Sequence, residues 1–263
     1  MRSAHAVPIA ALALALSSTA AAEDALMAER MPDETDGVMA EHLPHVSGMP
    51  VCDVRLSAGV MQAPSVSERV SDSAGTATYD WKGTDDLGFT GALYFIGAPE
   101  WATTSGGSLL LGTGIAYENF DITPQRYETG GLSYANARTD IELDHQVWRV
   151  DLMIGYGSPM RYTDLGDLHV EVLLVGGGGL AYTRTQGFSS TSTPVRERGI
   201  GWTYVVGPRV GAYLCSSHWL CGVHADYLLS HAEVDVDLPN GAKSSLEIDG
   251  MGFVAAGDIG YRF

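Results

Sequence analysis

The chain has 263 residues and a net charge of −17, with two lysines, Lys82 and Lys243, against thirteen arginines. That balance excludes a nucleic-acid binder, which needs a basic face for phosphates. Three cysteines, Cys52, Cys215 and Cys221, are too few for a disulfide framework and lack zinc-type spacing.

Residues 1–22 read as an export signal. Met1-Arg2 is a short positive start, Ala6 to Leu16 an apolar core, and Ala20-Ala21-Ala22 a small-residue cleavage site before Glu23. The apolar stretch is too short to cross a bilayer as a helix, and no later run is long enough either. Residues 23–51 are acidic and aperiodic, the composition of a disordered periplasmic linker. Met39, His42, His45 and Met49 are soft-metal donors, but scattered through such a segment they define no metal site.

From residue 52 to Phe263 the text becomes period-two, with 32 glycines in the chain as a whole. Eight alternating stretches are predicted as strands, near Asp53–Gln62, Leu87–Gly97, Ser108–Ile122, Ile141–Gly157, Leu168–Thr185, Ile200–Cys215, Leu220–Leu238 and Leu246–Phe263. Short connections (Pro99–Gly107, Ser158–Gly166, Ser216–Trp219) alternate with mostly longer Ser/Thr/Gly/Asp-rich ones near 63–86, 123–140, 186–199 and 239–245. Short inner turns and longer outer loops are the plan of an outer-membrane barrel, and an even strand count puts both ends on the periplasmic side. The predicted fold is all-β, an eight-stranded antiparallel up-and-down transmembrane barrel.

Alternation assigns faces, since successive strand residues point to opposite sides. Met251, Phe253, Ala255, Gly257, Ile259, Tyr261 and Phe263 fall on a lipid face, as do Trp148, Val150, Leu152, Ile154 and Tyr156. The opposite face collects Arg55, Glu118, Arg149, Asp151, Glu171, Arg209, Asp226, Asp258 and Arg262, four cations and five anions, with His224 beside them. A narrow barrel holds such a set as Arg–carboxylate pairs, because the guanidinium fork matches the carboxylate. Such a set fits a structural plug better than an ion path.

Near the external ends the polarity inverts in the same register. Phe120, Ile122, Ile141, Leu143, Val234, Val236, Leu246 and Ile248 turn inward as an apolar cap. Asn119, Asp121, Glu142, Asp144, Glu233, Asp235, Asp237, Glu247 and Asp249 turn outward as an acidic collar, with Tyr117, Trp148, Tyr182 and Tyr204 just below as an aromatic girdle. The cap either seals the barrel or receives an apolar ligand. The collar is read as a solvated face rather than a divalent-cation site.

Phe263 at the terminus, with Tyr261 and Ile259 at two-residue steps, resembles the C-terminal signal of outer-membrane proteins that the barrel-assembly machinery reads. With eight strands and short inner turns, residues 53–263 resemble the small OmpA/OmpX-type barrels. That resemblance implies outer-membrane lipid and the assembly machinery as partners, and a surface ligand met through the external loops. No peptidoglycan-binding domain of the full OmpA-like kind follows the barrel.

Catalysis finds little support. A lipid-A-deacylase-like barrel carries His-x-Ser on a lipid-facing strand, and here that spacing occurs only at His45–Ser47, in the linker. Ser230 and His231 near Glu233 are neighbours on one strand and so face opposite ways. The Gly176–Gly179 run lacks the Lys-Ser/Thr of a phosphate loop. No catalytic residue, cofactor or metal is expected. Cys215 and Cys221 flank a short turn and are the candidate disulfide, provided the turn leaves strand geometry. The functional expectation is a non-enzymatic structural or surface-interaction barrel with a plugged lumen. The alternative is a transporter of small apolar molecules similar to OmpW-type barrels.

Overall fold

The computed structural model describes residues 51–72, 75–82, 87–104, 106–122, 126–129, 132–135, 142–163, 165–188, 194–216, 218–237 and 243–263. The signal peptide and nearly all of the linker lie outside these residues, as does Ile141; so do the side chains of Glu142 and Asp237.

Among the described residues, fourteen strands follow one another. They are β1 (Val51–Gln62), β2 (Ser65–Asp72), β3 (Gly75–Lys82), β4 (Leu87–Ala98), β5 (Thr103–Thr104), β6 (Gly107–Ile122) and β7 (Arg126–Thr129). Then come β8 (Leu132–Ala135), β9 (Glu142–Gly157), β10 (Arg161–Thr163), β11 (Gly166–Phe188), β12 (Pro194–Ser216), β13 (Trp219–Asp237) and β14 (Lys243–Arg262). The wall is a closed antiparallel ring of eight, in the order β1-β4-β6-β9-β11-β12-β13-β14, with β14 returning to β1 from Asp53↔Arg262 to Met61↔Val254. Closure leaves no edge and pairs nearly all ladder groups within the wall, which is why strands can cross lipid at all. The eight-stranded, up-and-down barrel is therefore the observed architecture.

The two short turns that open β6 and β11 share one chemistry. Gly107 and Gly166 have φ of 138° and 133°, a backbone that side chains rarely adopt. In each turn a threonine three residues earlier, Thr104 or Thr163, donates its hydroxyl proton to that glycine's carbonyl, at 3.0 and 2.6 Å.

Four corrections follow from the coordinates. Strand β1 begins at Val51, two residues ahead of the predicted strand. The stretch 63–86 is not simply a loop: β2 and β3 form a hairpin that carries the wall outward, with β2 paired to the external end of β14 from Lys243↔Ser71 to Asp249↔Ser65. The stretch 123–140 contains β7 and β8, and β7 pairs with β3. The loop predicted over 186–199 shrinks, because β11 and β12 remain paired out to Phe188↔Pro194. The physical reason is common to all three connections. Ser, Thr and charged residues at both alternating positions hide the period of a strand.

Around the ring each wall register runs unshifted, except where β1 passes into β2. There Gln62, Ala63 and Pro64 stand against four residues of β14, Gly250–Phe253, with no register partner between them. Proline lacks the ladder donor and restricts the residue before it, so this is a bulge with a mismatch of one residue.

Candidate functional site

The barrel interior is divided by chemistry. Toward the end that holds Asp53 and Arg262 it is ionic. Arg55 of β1 donates through Nη1 and Nη2 to the two carboxylate oxygens of Glu171 on β11, at 2.7 and 2.5 Å, and through Nη2 to Asp53 at 2.8 Å. In the ring β1 and β11 are four strands apart either way round, so this link spans the full diameter. Arg262 closes the set by donating through Nε and Nη2 to Asp53, at 2.7 and 2.9 Å. The Arg55 guanidinium also lies over the Tyr213 ring, 4.3 Å from its centroid.

A second diametric link stands beside the first. Arg209 of β12 donates to Tyr94 Oη of β4 at 2.9 Å and, through Nε and Nη2, to both oxygens of its neighbour Asp226 at 2.8 and 2.7 Å. Strands β12 and β4 are again opposite one another. Tyr213 donates its phenol proton to Asp258 at 2.9 Å, and His224 Nδ1 sits 2.8 Å from the same oxygen. Further outward, Arg149 donates Nε to Asp151 at 2.7 Å and Nη1 to Glu118. These groups are buried, from Asp151 at 0 % exposure to His224 at 5 %, with Arg262 more open at the mouth. A buried charge without its partner is costly, so the pairing is what lets such a lumen exist.

Sequence reasoning named nine of these ionic residues but not Asp53, Tyr94, Tyr213 or His169, whose Nε2 lies 3.1 Å from Glu171. Asp53 was readable, since it shares Arg55's face two residues away. The others are not signalled by type alone. Their roles depend on which strand lies opposite, and that follows from the stagger of the ring rather than from any one strand's pattern.

Above Arg149 the interior turns apolar. Phe120, Ile122, Leu143, Val234, Val236, Leu246 and Ile248 are buried there, each at 3 % exposure or less. Gly88 makes room for Phe120, whose ring would lie 2.3 Å from a Cβ at that position. His145, 6.1 Å from the Phe120 ring, is held through Nδ1 at 2.9 Å from Thr183 Oγ1. A cavity of about 20 Å³ opens among Met61, Phe120, Leu228 and Ile248 and reaches the wall at Pro64 and Gly250.

The outer face carries an apolar belt that includes Leu56, Val60, Ile115, Val150, Leu152, Val172, Leu174 and Val223. Among the described residues no charged side chain interrupts it, which is the condition for lipid contact. Tyr117 packs on Trp148 with ring centroids 4.6 Å apart, and Trp202 on Tyr204 at 5.6 Å. Trp219, Tyr261 and Phe263 form the opposite girdle, with Tyr261 between the other two at 5.5 and 5.0 Å. Ile259, Tyr261 and Phe263 are all exposed on this face, and the Phe263 amide donates to Cys52 O at 3.0 Å.

Above the upper girdle, His231 Nδ1 lies 2.7 Å from Asp249 Oδ1, and Glu247 brings a donor oxygen within 4.8 Å of both. This cluster of cation donors, two of its three members exposed, is the one found among the described residues.

The candidate disulfide is not formed. Cys215, opposite Leu220, faces the lumen and is buried, while Cys221, opposite Leu214, faces outward and is exposed. From Arg209↔Asp226 the ladder runs unbroken to Ser216↔Trp219, so both cysteines keep strand geometry and the two thiols stay on opposite sides of the wall.

No family model matches the chain, and no curated protein does. Among solved structures it is similar to the outer membrane protease OmpT from Escherichia coli, with 13% identity over 81% of this chain and 97% of that one and a TM-score of 0.45. It is similar to the outer membrane protein OprG from Pseudomonas aeruginosa, with 15% identity over 81% of this chain and 95% of that one and a TM-score of 0.42. It also resembles Ail, the attachment invasion locus protein of Yersinia pestis, with 13% identity over 81% and 99% of the two chains and a TM-score of 0.25.

Proposed function

We propose that this chain is a structural and surface-interaction barrel of the bacterial outer membrane, with a lumen closed to ions and its recognition surface on the external strands. One observation carries the reading. Two hydrogen-bonded links, Arg55–Glu171 and Arg209–Tyr94, each join opposite walls, so side chains fill the cross-section where a water column would run. A ring of eight strands is just wide enough to be filled in this way. The belt meets outer-membrane lipid, the strand ending on Tyr261 and Phe263 is what the assembly machinery reads, and a surface ligand meets the extension built by β2, β3, β7 and β8. No catalytic role is proposed. Ser230 and His231 point to opposite sides of the wall, and His231 is already engaged by Asp249.

Planar-bilayer recordings test the reading. The native protein is expected to pass no steady current, and Glu171→Ala, which severs one diametric link, to pass one. A steady current through the native protein would sink it.

A further inference from the structure

We propose that the outer wall holds one anionic phospholipid in a groove across β11, β12, β13 and β14, with an acyl chain in the groove and the phosphate on Arg161. This rests on the reading that the belt meets membrane lipid. It deepens that reading from general contact to one site with one headgroup charge.

The groove lies beside the girdle of Trp219, Tyr261 and Phe263. It is a shallow, open depression of about 680 Å³. Leu168, Leu214, Val223 and Ile259 line it, one from each strand, and Ala212 and Gly257 form its floor. The register explains the hollow. One row of partners crosses the wall as Leu168↔Leu214, Leu214↔Cys221 and Cys221↔Ile259, and the next as Ala212↔Val223, Val223↔Gly257 and Gly257↔Ala58. Elsewhere in the belt such a row is uniformly large, as in Leu111↔Ile154 and Ile154↔Leu174. Nothing within the protein calls for a glycine at 257. A Cβ there would meet only the Gly222 carbonyl oxygen, at 4.0 Å. The missing side chain leaves open space on the lipid face.

Arg161 supplies the charge. It is the register partner of Leu168, so it shares the outward face and the row of the groove, and it is exposed. Among the described residues it forms no ion pair. Asp167, the neighbour of Leu168, is on the other face, opposite Cys215. An arginine at the edge of lipid without a carboxylate favours a phosphate, which its fork takes through two hydrogen bonds. The height also fits. Strands cross the membrane tilted by about 35–45°, so a row climbs as it passes from strand to strand. Arg161 stands beside the turn closed by Thr163 and Gly166, whereas Ile259 in the same row is set back from the chain end at Phe263. The row therefore starts at headgroup level and enters hydrocarbon.

Charge decides between occupants. An apolar groove alone takes any hydrocarbon surface, a second barrel included. A second barrel would bring its own belt, which among the described residues holds no charge to meet the guanidinium. A phospholipid supplies hydrocarbon and anion in one molecule. One cation suits one phosphate, and the short turn beside Arg161 marks the leaflet of glycerophospholipid rather than that of lipid A. From Arg161 to Ile259 the row covers four strand spacings, roughly 19 Å, against roughly 15 Å for the depth of one leaflet. A chain lying obliquely along the wall thus stays within its own leaflet.

The full-length protein in detergent micelles would be titrated with dioleoylphosphatidylglycerol or dioleoylphosphatidylcholine, and the bound lipid counted by native mass spectrometry. The native protein is expected to hold one phosphatidylglycerol about fivefold more tightly than phosphatidylcholine, the effect of one interfacial arginine. Arg161→Gln is expected to remove that preference while phosphatidylcholine binds as before. Gly257→Phe, which fills the groove, is expected to abolish one-to-one retention of both lipids in a barrel that is still heat-modifiable. No preference in the native protein, or a preference that survives Arg161→Gln, would overturn the phosphate contact. Unchanged retention in folded Gly257→Phe would overturn the groove. Tighter binding of lipid A than of phosphatidylglycerol would overturn phospholipid as the occupant. So would a Cys221–Cys221 cross-link between native proteins in vesicles, which would put a second copy there. Insertion of the native protein and both variants into vesicles of the same lipids tests the membrane barrel separately.

Discussion

The two halves of the interior are closed by different forces. The ionic half is held by directional bonds that reach across the barrel, from Arg55 to Glu171 and from Arg209 to Tyr94. The external half is held by contact between buried side chains such as Phe120, Leu143 and Val234. An ionic plug works through a few strong links that fail individually and at high cost. An apolar cap works through many weak contacts, each replaceable and able to shift. The wall follows the same division. It keeps one register around the ionic half, interrupted without a shift at Gly207 and Pro208, and is bulged beside the apolar one.

The largest effect should come from the ionic half. Glu171→Ala leaves Arg55 buried without its main partner and should cost about 3–5 kcal/mol, read as a drop in urea midpoint for unfolding from lipid. A loss within about 0.5 kcal/mol, the scale of an ordinary surface substitution, would mean that the diametric link is decorative. Phe120→Ala, in the apolar half, should cost about 3 kcal/mol through the cavity it leaves, with no ion current, because the floor below is untouched. A current in that variant would erase the division between the halves. Ile248→Val should cost about 1 kcal/mol by the same measurement. The smallest effect concerns the thiols. Serine at both Cys215 and Cys221 should leave the reductant dependence of stability at zero, and any destabilisation of the native protein by reductant would contradict the free thiols seen here.

The wall was legible because burial on one side writes itself as alternation. Trp148 to Tyr156 outward and Arg149 to Met153 inward can be read without coordinates, and both faces stand as such in the structure. The strands β2, β3, β7 and β8 were not legible, since Ser, Thr and charged residues fall at both alternating positions and leave no apolar period. For the ionic groups, the face of each could be read but its partner could not. Glu171 is 116 residues from Arg55, and only the stagger of eight strands brings them together. The bulge had one sequence sign, Pro64, but its meaning depends on the unpaired stretch of β14 nearly two hundred residues later.

The pairing of β1 with β14 has a consequence for how the barrel comes into being. The first wall strand is made early and its partner last, and Asp53 meets Arg262 across 209 residues of chain. Until that partner exists, β1 has one open ladder edge, and both Arg55 and Asp53 wait for groups supplied much later. Long-range pairing of this kind is slow and leaves sticky edges exposed in the meantime. Assembly therefore cannot proceed strand by strand from the N-terminus as the chain emerges. The nascent polypeptide must be kept apart from its neighbours until its C-terminal end arrives, and ring closure then becomes the committing step of biogenesis.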